Sequence, residues 1–227
     1  MYTFYLDQKE EITVLNKMLS GWSGCTVAER AEQYHIPLKI AEKCSKEKIP
    51  QELIDYVQKT YQEKKKDLEK ALTFHTDFWN RNSAKCQEKL IKLMEQEIPP
   101  FRVRLQVLCD GISDWMGTNV AINAFEYLNG SPVWYTTLLW ETILAVTFQR
   151  IRRKYSETIY ADNIVWAVSE MSACAIINTD FNTVWNIGYR QLFPHQEKVI
   201  QFYKNRKNFS DFLEKQLSYF KDKDIQI

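Results

Sequence analysis

Apolar residues recur at spacings of three and four through most of the chain, a pattern typical of amphipathic helices. The first such face consists of Ile12, Leu15, Met18 and Leu19, and Gly21 marks the end of that helix. The same periodicity, with the prolines and capping residues that precede it, predicts further helices at about 26–34, 37–46, 50–72 and 76–97, and after Pro194 and Asn208. The outer parts of the chain are therefore expected to be helical with one solvated side.

The segment that follows Pro100 has a different pattern, because its polar faces are nearly absent. Helices are predicted over about 102–116, 119–129, 132–154 and 161–178, and a helix that is apolar on all sides is a buried one. For 132–154, Ser131 is the predicted N-cap and Pro132 the first helical residue. We expect this segment to belong to a buried central pair of helices.

Composition favours the same fold class. The 227 residues contain six glycines and six prolines, and such scarce turn residues argue against many short strands. We therefore predict an all-α fold, with outer amphipathic helices packed around the buried central pair. Because no flexible linker divides the chain, residues 1–227 are predicted to form a single domain. Its parts are a small N-terminal helical subregion (1–49), a helical hairpin (50–100), apolar core helices (101–189) and C-terminal helices (190–227).

Several classes of protein are disfavoured. The longest run without a charged residue, Tyr127 to Trp140, is too short to span a bilayer, and the N-terminus lacks the features of a secretory signal. Five cysteines are an odd number and form no C-x-x-C motif, which argues against a disulfide framework and against a zinc site. We expect a cytoplasmic protein with reduced thiols, without a membrane partner, a metal or a cofactor.

Charge is distributed unevenly. Between Leu105 and Tyr189 there are four basic residues and eight acidic ones. The candidate catalytic residues among them are Asp110, Asp114, Glu141 and Glu170, which lie in predicted helices of apolar character. A buried carboxylate must pair with a donor, coordinate a metal or take up a proton. One interpretation is a helical-bundle metal-dependent enzyme, and another is that the acids bond to arginine, tryptophan or tyrosine side chains.

Aromatic side chains make up 14% of the chain, and tryptophan and tyrosine are enriched at protein interfaces. Acidic groups that reach the surface of the same region would complement a basic partner and speed its capture. The predicted binding residues are Glu126, Asp162, Asp180, Trp115 and Trp185. The function we favour from the sequence is a protein–protein interaction module, of immunity or antitoxin type, that neutralises a basic partner.

A short stretch, residues 26–46, resembles a helix-turn-helix. Ala31 matches the small residue at the helix crossing, His35 the turn position and Ile36 the apolar residue after it. The resemblance implies a transcriptional regulator with a helical ligand-binding domain, in which nucleic acid is contacted by Lys39, Lys43 and Lys46. Residues 1–49 carry seven basic and seven acidic groups, whereas DNA binding calls for a basic footprint, so this interpretation ranks second.

Overall fold

The computed structural model describes residues 1–21, 26–108, 112–113, 117–129, 133–181, 192–223 and 225. Helices predominate in this part of the chain, and a small sheet accompanies them. The helices are α1 (Gln8–Gly21), α2 (Val27–Gln33), α3 (Leu38–Ala41), α4 (Gln51–Glu63), α5 (Lys65–Met94), α6 (Val133–Lys154), α7 (Asp162–Asp180), α8 (Gln196–Lys204) and α9 (Phe209–Phe220). The strands are β1 (Tyr2–Tyr5), β2 (Phe101–Gln106), β3 (Ile112–Ser113) and β4 (Asn119–Asn123), and two 3₁₀ helices span Glu126–Asn129 and Phe193–His195.

The sheet has the strand order β1-β2-β4-β3. Strands β1, β2 and β4 are parallel, whereas β3 lies antiparallel on the outer side of β4. Tyr2 is paired with Phe101, so the first strand of the chain joins one that follows all of helices α1 to α5. Those helices therefore form a long crossover connection between two neighbouring parallel strands.

This sheet corrects the sequence-based fold class. A mostly helical fold is confirmed, but the all-α class is not, and the helices predicted over 102–116 and 119–129 are wrong, since β2 and β4 lie there. The reason is visible in β2, where Phe101, Val103 and Leu105 alternate with polar residues at the strand period of two. Each of these three side chains is at most 1% exposed.

Several predicted helices are confirmed. Helix α1 ends at Gly21 as expected, and the Asn208 side chain caps α9 by accepting a hydrogen bond from the Asp211 amide at 2.8 Å. The break predicted between residues 72 and 76 is misplaced, because it falls inside α5, and the chain instead leaves helical geometry at Lys64. The predicted helix 37–46 is also shorter than expected, since α3 contains only four residues.

Helices α6 and α7 are the most deeply buried. Residues 136–148 of α6 and 164–177 of α7 are buried without interruption, as expected for helices that lack a polar face. The two helices run antiparallel, because Arg152 pairs with Asp162 at one end of the interface while Trp140 contacts Glu170 farther along it. Among the described helices, none is both long enough and apolar enough to cross a membrane.

A buried carboxylate on α1 forms hydrogen bonds with the backbone at the end of β2. The Glu11 side chain is fully buried and accepts hydrogen bonds from the backbone amides of Val107 and Leu108, both at 3.0 Å. It also accepts one from the Tyr61 hydroxyl of α4 at 2.5 Å. Next to it, buried Arg104 forms an ion pair with Glu10 at 2.9 Å. These contacts close the crossover by joining its first helix, its fourth helix and the second strand.

We predict that Glu11→Ala destabilises the protein strongly, because two buried backbone amides lose their acceptor and the half-buried Tyr61 hydroxyl loses its partner. Each unsatisfied buried donor costs about 1–3 kcal/mol, so the expected loss in free energy of unfolding is about 2 kcal/mol or more. Urea denaturation followed by circular dichroism measures it. Glu69→Ala is the matched control, since Glu69 is exposed on α5, and it should change stability by less than about 0.5 kcal/mol. Equal effects of the two substitutions would contradict the role assigned to Glu11.

Candidate functional site

Two predicted catalytic candidates, Glu141 and Glu170, come together in the structure. Glu141 lies on α6 and Glu170 on the facing part of α7, and their side chains are close enough for the charge of Glu141 to affect the ionisation of Glu170. The two residues are 8% and 5% exposed, so they lie at the margin of the core. Sequence reasoning therefore identified two acids that share one location.

Indole groups supply the hydrogen bonds of this pair. The Trp140 Nε1 donates to Glu170 Oε2 at 2.7 Å, and Trp166 also donates to the same carboxyl group. The pKa of Glu170 is raised to about 8, chiefly by burial and then by the nearby charge of Glu141, while the two indole donors act in the opposite direction. Glu170 is therefore mostly protonated at neutral pH. The cost of burying the Glu170 carboxyl group is therefore reduced both by hydrogen bonds and by protonation.

A pair of carboxyl groups that holds a proton is suited to proton transfer or to binding a cation that displaces the proton. The other two catalytic candidates, Asp110 and Asp114, lie outside the described residues. Within the described ranges, no group of three or more histidine, cysteine, aspartate or glutamate side chains is arranged to hold a metal ion.

The predicted binding acids do not form one surface. Asp162 and Asp180 stand at opposite ends of α7, about 27 Å apart for a helix of this length. Asp162 forms an ion pair with Arg152, and Asp180 accepts a hydrogen bond from the Tyr203 hydroxyl at 2.7 Å. Both are thus engaged within the molecule. Trp115 and Trp185 lie outside the described residues.

Glu126, the third predicted binding acid, is half-buried and lies beside a group of aromatic rings. It opens the 3₁₀ helix that follows β4, and its neighbour Tyr127 stacks on Phe74 of α5 with ring centroids 4.1 Å apart. Phe78 stacks in turn on Phe74 at 6.3 Å. We refer to Phe78, Phe74 and Tyr127, which are all half-buried, as the ring row. Leu128, which follows the row, is 65% exposed.

The ring row was not predicted from the sequence. Phe74 and Phe78 are one turn apart on a helix, which is a readable signal, but Tyr127 is remote from them in sequence. Only the meeting of α5 with the end of β4 brings the three rings together. His75 takes part in that meeting, since its buried Nε2 lies 3.2 Å from the Ala124 carbonyl oxygen. Burial lowers the pKa of His75 to about 4, so this histidine is a neutral packing residue and not an acid–base group.

The helix-turn-helix resemblance extends to its turn. His35 has a positive φ of 52°, and the Ile36 amide donates to the Ala31 carbonyl at 2.9 Å, a geometry that closes helices where glycine is usual. Beyond the turn, however, the four residues of α3 make one helical turn, which offers little to a DNA groove.

The three predicted DNA-contacting lysines have different environments. Lys39 is exposed on α3, whereas Lys43 forms an ion pair with Glu52. The side chain of Lys46 passes over Gly21, so that a methyl group added to Gly21 would meet the Lys46 Cε at 3.0 Å. This position places a positive charge near the C-terminus of α1, where it is favoured by the helix dipole. Two of the three lysines therefore have structural partners.

We predict that the Glu170 carboxyl makes stability depend on pH. Its pKa is raised from 4.5 to about 8 in the folded state, so folding favours the protonated form. Its contribution is fully present below pH 4.5 and is lost as pH rises to about 8, on the order of 5 kcal/mol in total. Glu170→Gln, which stays neutral, should become more stable than the wild type progressively over this range.

The measurement is the free energy of unfolding of wild type and variant from pH 5 to pH 9. Glu157→Gln serves as the control, since Glu157 is exposed in the turn between α6 and α7. It should follow the wild-type pH profile. Parallel profiles for Glu170→Gln and wild type would show that the carboxyl ionises normally.

Comparison with protein-family models, with curated proteins and with solved structures found no match to this chain. Its function is therefore inferred from the geometry and chemistry of its own residues.

Proposed function

We propose that this chain is a protein–protein interaction module whose partner presents basic side chains. The observation that carries the proposal is the ring row with the exposed Leu128 and the adjacent Glu126. Half-exposed aromatic rings beside an exposed aliphatic side chain are the usual centre of a protein interface, because they release much apolar surface from water at low entropic cost.

The charge at this surface favours a basic partner. The exposed Asp77 lies on α5 within a turn of Phe74, whereas the Oε2 of Glu126, next to Tyr127, is buried. An arginine or lysine of a partner could contact the ring faces and the Asp77 carboxylate together. Neutralisation of a basic toxin, as by an immunity protein or antitoxin, is the concrete role we favour.

The cysteines support a cytoplasmic location for this role. Cys44, Cys86 and Cys174 are free thiols in the structure, and a protein with several free thiols is typical of a reducing compartment.

We predict that Leu128→Asn weakens partner binding by at least about tenfold, since a central apolar contact is worth more than about 1.4 kcal/mol. The tagged protein is used to isolate its partner from the native source, and the affinity of the purified pair is then measured by calorimetry. Leu38→Asn is a matched control, because Leu38 is also an exposed leucine, 44% exposed, on α3 away from the ring row. It should bind as the wild type does.

Two outcomes contradict the proposal. One is recovery of the protein from its source alone, without a stoichiometric partner. The other is a partner whose affinity falls equally with Leu38→Asn and Leu128→Asn, or one that is acidic.

A metal-dependent enzyme that uses buried carboxylates is the second candidate, and the convergence of Glu141 and Glu170 favours it. Two carboxyl groups are fewer than a metal needs, so Asp110 or Asp114 would have to complete the set. A metal would also displace the proton held by Glu170, which makes binding weaker at low pH.

For this candidate we predict near-stoichiometric metal in the purified protein by elemental analysis. The metal should be absent from a Glu141→Gln, Glu170→Gln double variant and retained in Glu157→Gln. Metal-free wild-type protein that stays metal-free after incubation with divalent zinc, manganese or iron would end the hypothesis.

A further inference from the structure

A second group of half-exposed rings lies where α8 meets α9. Phe202 of α8 and Tyr219 of α9 are in T-shaped contact, with ring centroids 5.8 Å apart. His195, just before α8, is linked to Tyr219 by a hydrogen bond of 2.9 Å between its Nδ1 and the tyrosine hydroxyl. All three rings are partly accessible to solvent. They form a small aromatic platform that is remote from the ring row in sequence.

Lysines lie over the faces of this platform. The Lys198 ammonium is 5.2 Å from the Phe202 ring centroid, and the Lys223 ammonium is 4.9 Å from that of Tyr219. Both lysines are exposed. In the part of the chain that the structure describes, neither ammonium has a carboxylate oxygen within 4 Å. Each ammonium therefore lies over an aromatic face.

The surrounding surface is positive overall. Residues 192–223 contain seven lysine and arginine residues against four acidic ones. Asp211 pairs with Lys215, and Glu214 pairs with Lys154 from outside this range. That leaves six basic residues against Glu197 and Asp222. The pKa of His195 is lowered, first by burial and then by the positive charge of Lys223. An anion is thus the ligand that this surface complements.

We propose that the platform, formed by His195, Lys198, Phe202, Tyr219 and Lys223, binds single-stranded nucleic acid. Unpaired bases stack on aromatic side chains while lysines neutralise the adjacent phosphates. In the free protein the lysines occupy the ring faces, and on binding each would turn to a phosphate while a base takes its place on the ring. A duplex hides its base faces, and an acidic peptide would use the lysines without needing the rings.

The test uses a fluorescein-labelled oligothymidylate of about 12 nucleotides, a length within the usual site size, and fluorescence anisotropy at several salt concentrations. The full-length protein should bind it, with an affinity that falls as salt rises. Lys198→Gln, Lys223→Gln should weaken binding and reduce the slope of log affinity against log salt by about 1.4, that is about 0.7 for each phosphate that is no longer neutralised. Phe202→Leu should weaken binding by roughly tenfold while it leaves the salt slope unchanged.

The control is Lys66→Gln, Lys85→Gln, which removes the same charge from exposed positions on α5 and should bind as the wild type does. Absence of binding at low salt would overturn the proposal. So would a Phe202→Leu variant that binds fully, a control as weak as the platform variant, or equal competition by an oligoglutamate of matching charge. The lysine variant keeps the test decisive even where Phe202→Leu does not fold, since both lysines are exposed.

Discussion

The pairing of β1 with β2 is the constraint on which the rest of the structure depends. Helices α1 to α5 lie between these two parallel strands in the sequence. The chain must therefore bring residues about 100 positions apart together before the strands can form hydrogen bonds. The carboxylate of Glu11 satisfies the backbone amides of Val107 and Leu108 at the point of closure. The same carboxylate reaches Tyr61, so one buried charge determines where α1, α4 and the end of β2 meet.

The two buried acids Glu11 and Glu170 have different hydrogen-bond partners. Glu11 receives two backbone amides and a phenol, and Arg104 lies near enough to favour its charge, although burial still raises its pKa. Glu170 accepts hydrogen bonds from two indoles and faces the acid Glu141, so both burial and the neighbouring charge favour its neutral form. The first arrangement is suited to holding elements together. The second leaves a proton that a change in pH or a cation can remove, which is why it is the stronger candidate for chemistry.

Much of the helical part of the fold could be predicted from sequence. The apolar runs around Glu141 and Glu170 predicted buried helices, and they correctly indicated that both acids lacked free access to water. The strands were missed for a physical reason. Scarcity of glycine and proline argues against hairpins, but parallel strands are joined through helices and need few tight turns. The alternation of Phe101, Val103 and Leu105 with polar residues is the feature of the sequence that indicates a strand.

Half-exposed aromatic clusters are harder to predict than the core. The apolar run around Trp166 indicates its burial, and the polar residues around Phe74 indicate a helix with a solvated side, but neither pattern shows which rings from distant segments meet. Which rings meet depends on tertiary structure, because Tyr127 reaches Phe74 only through the packing of α5 against the turn after β4. At such places the neighbouring charge decides what the ring can recognise. We propose that the exposed Asp77 beside the ring row favours a cation, whereas Lys223 over Tyr219 favours an anion, which would give two chemically similar aromatic clusters opposite preferences.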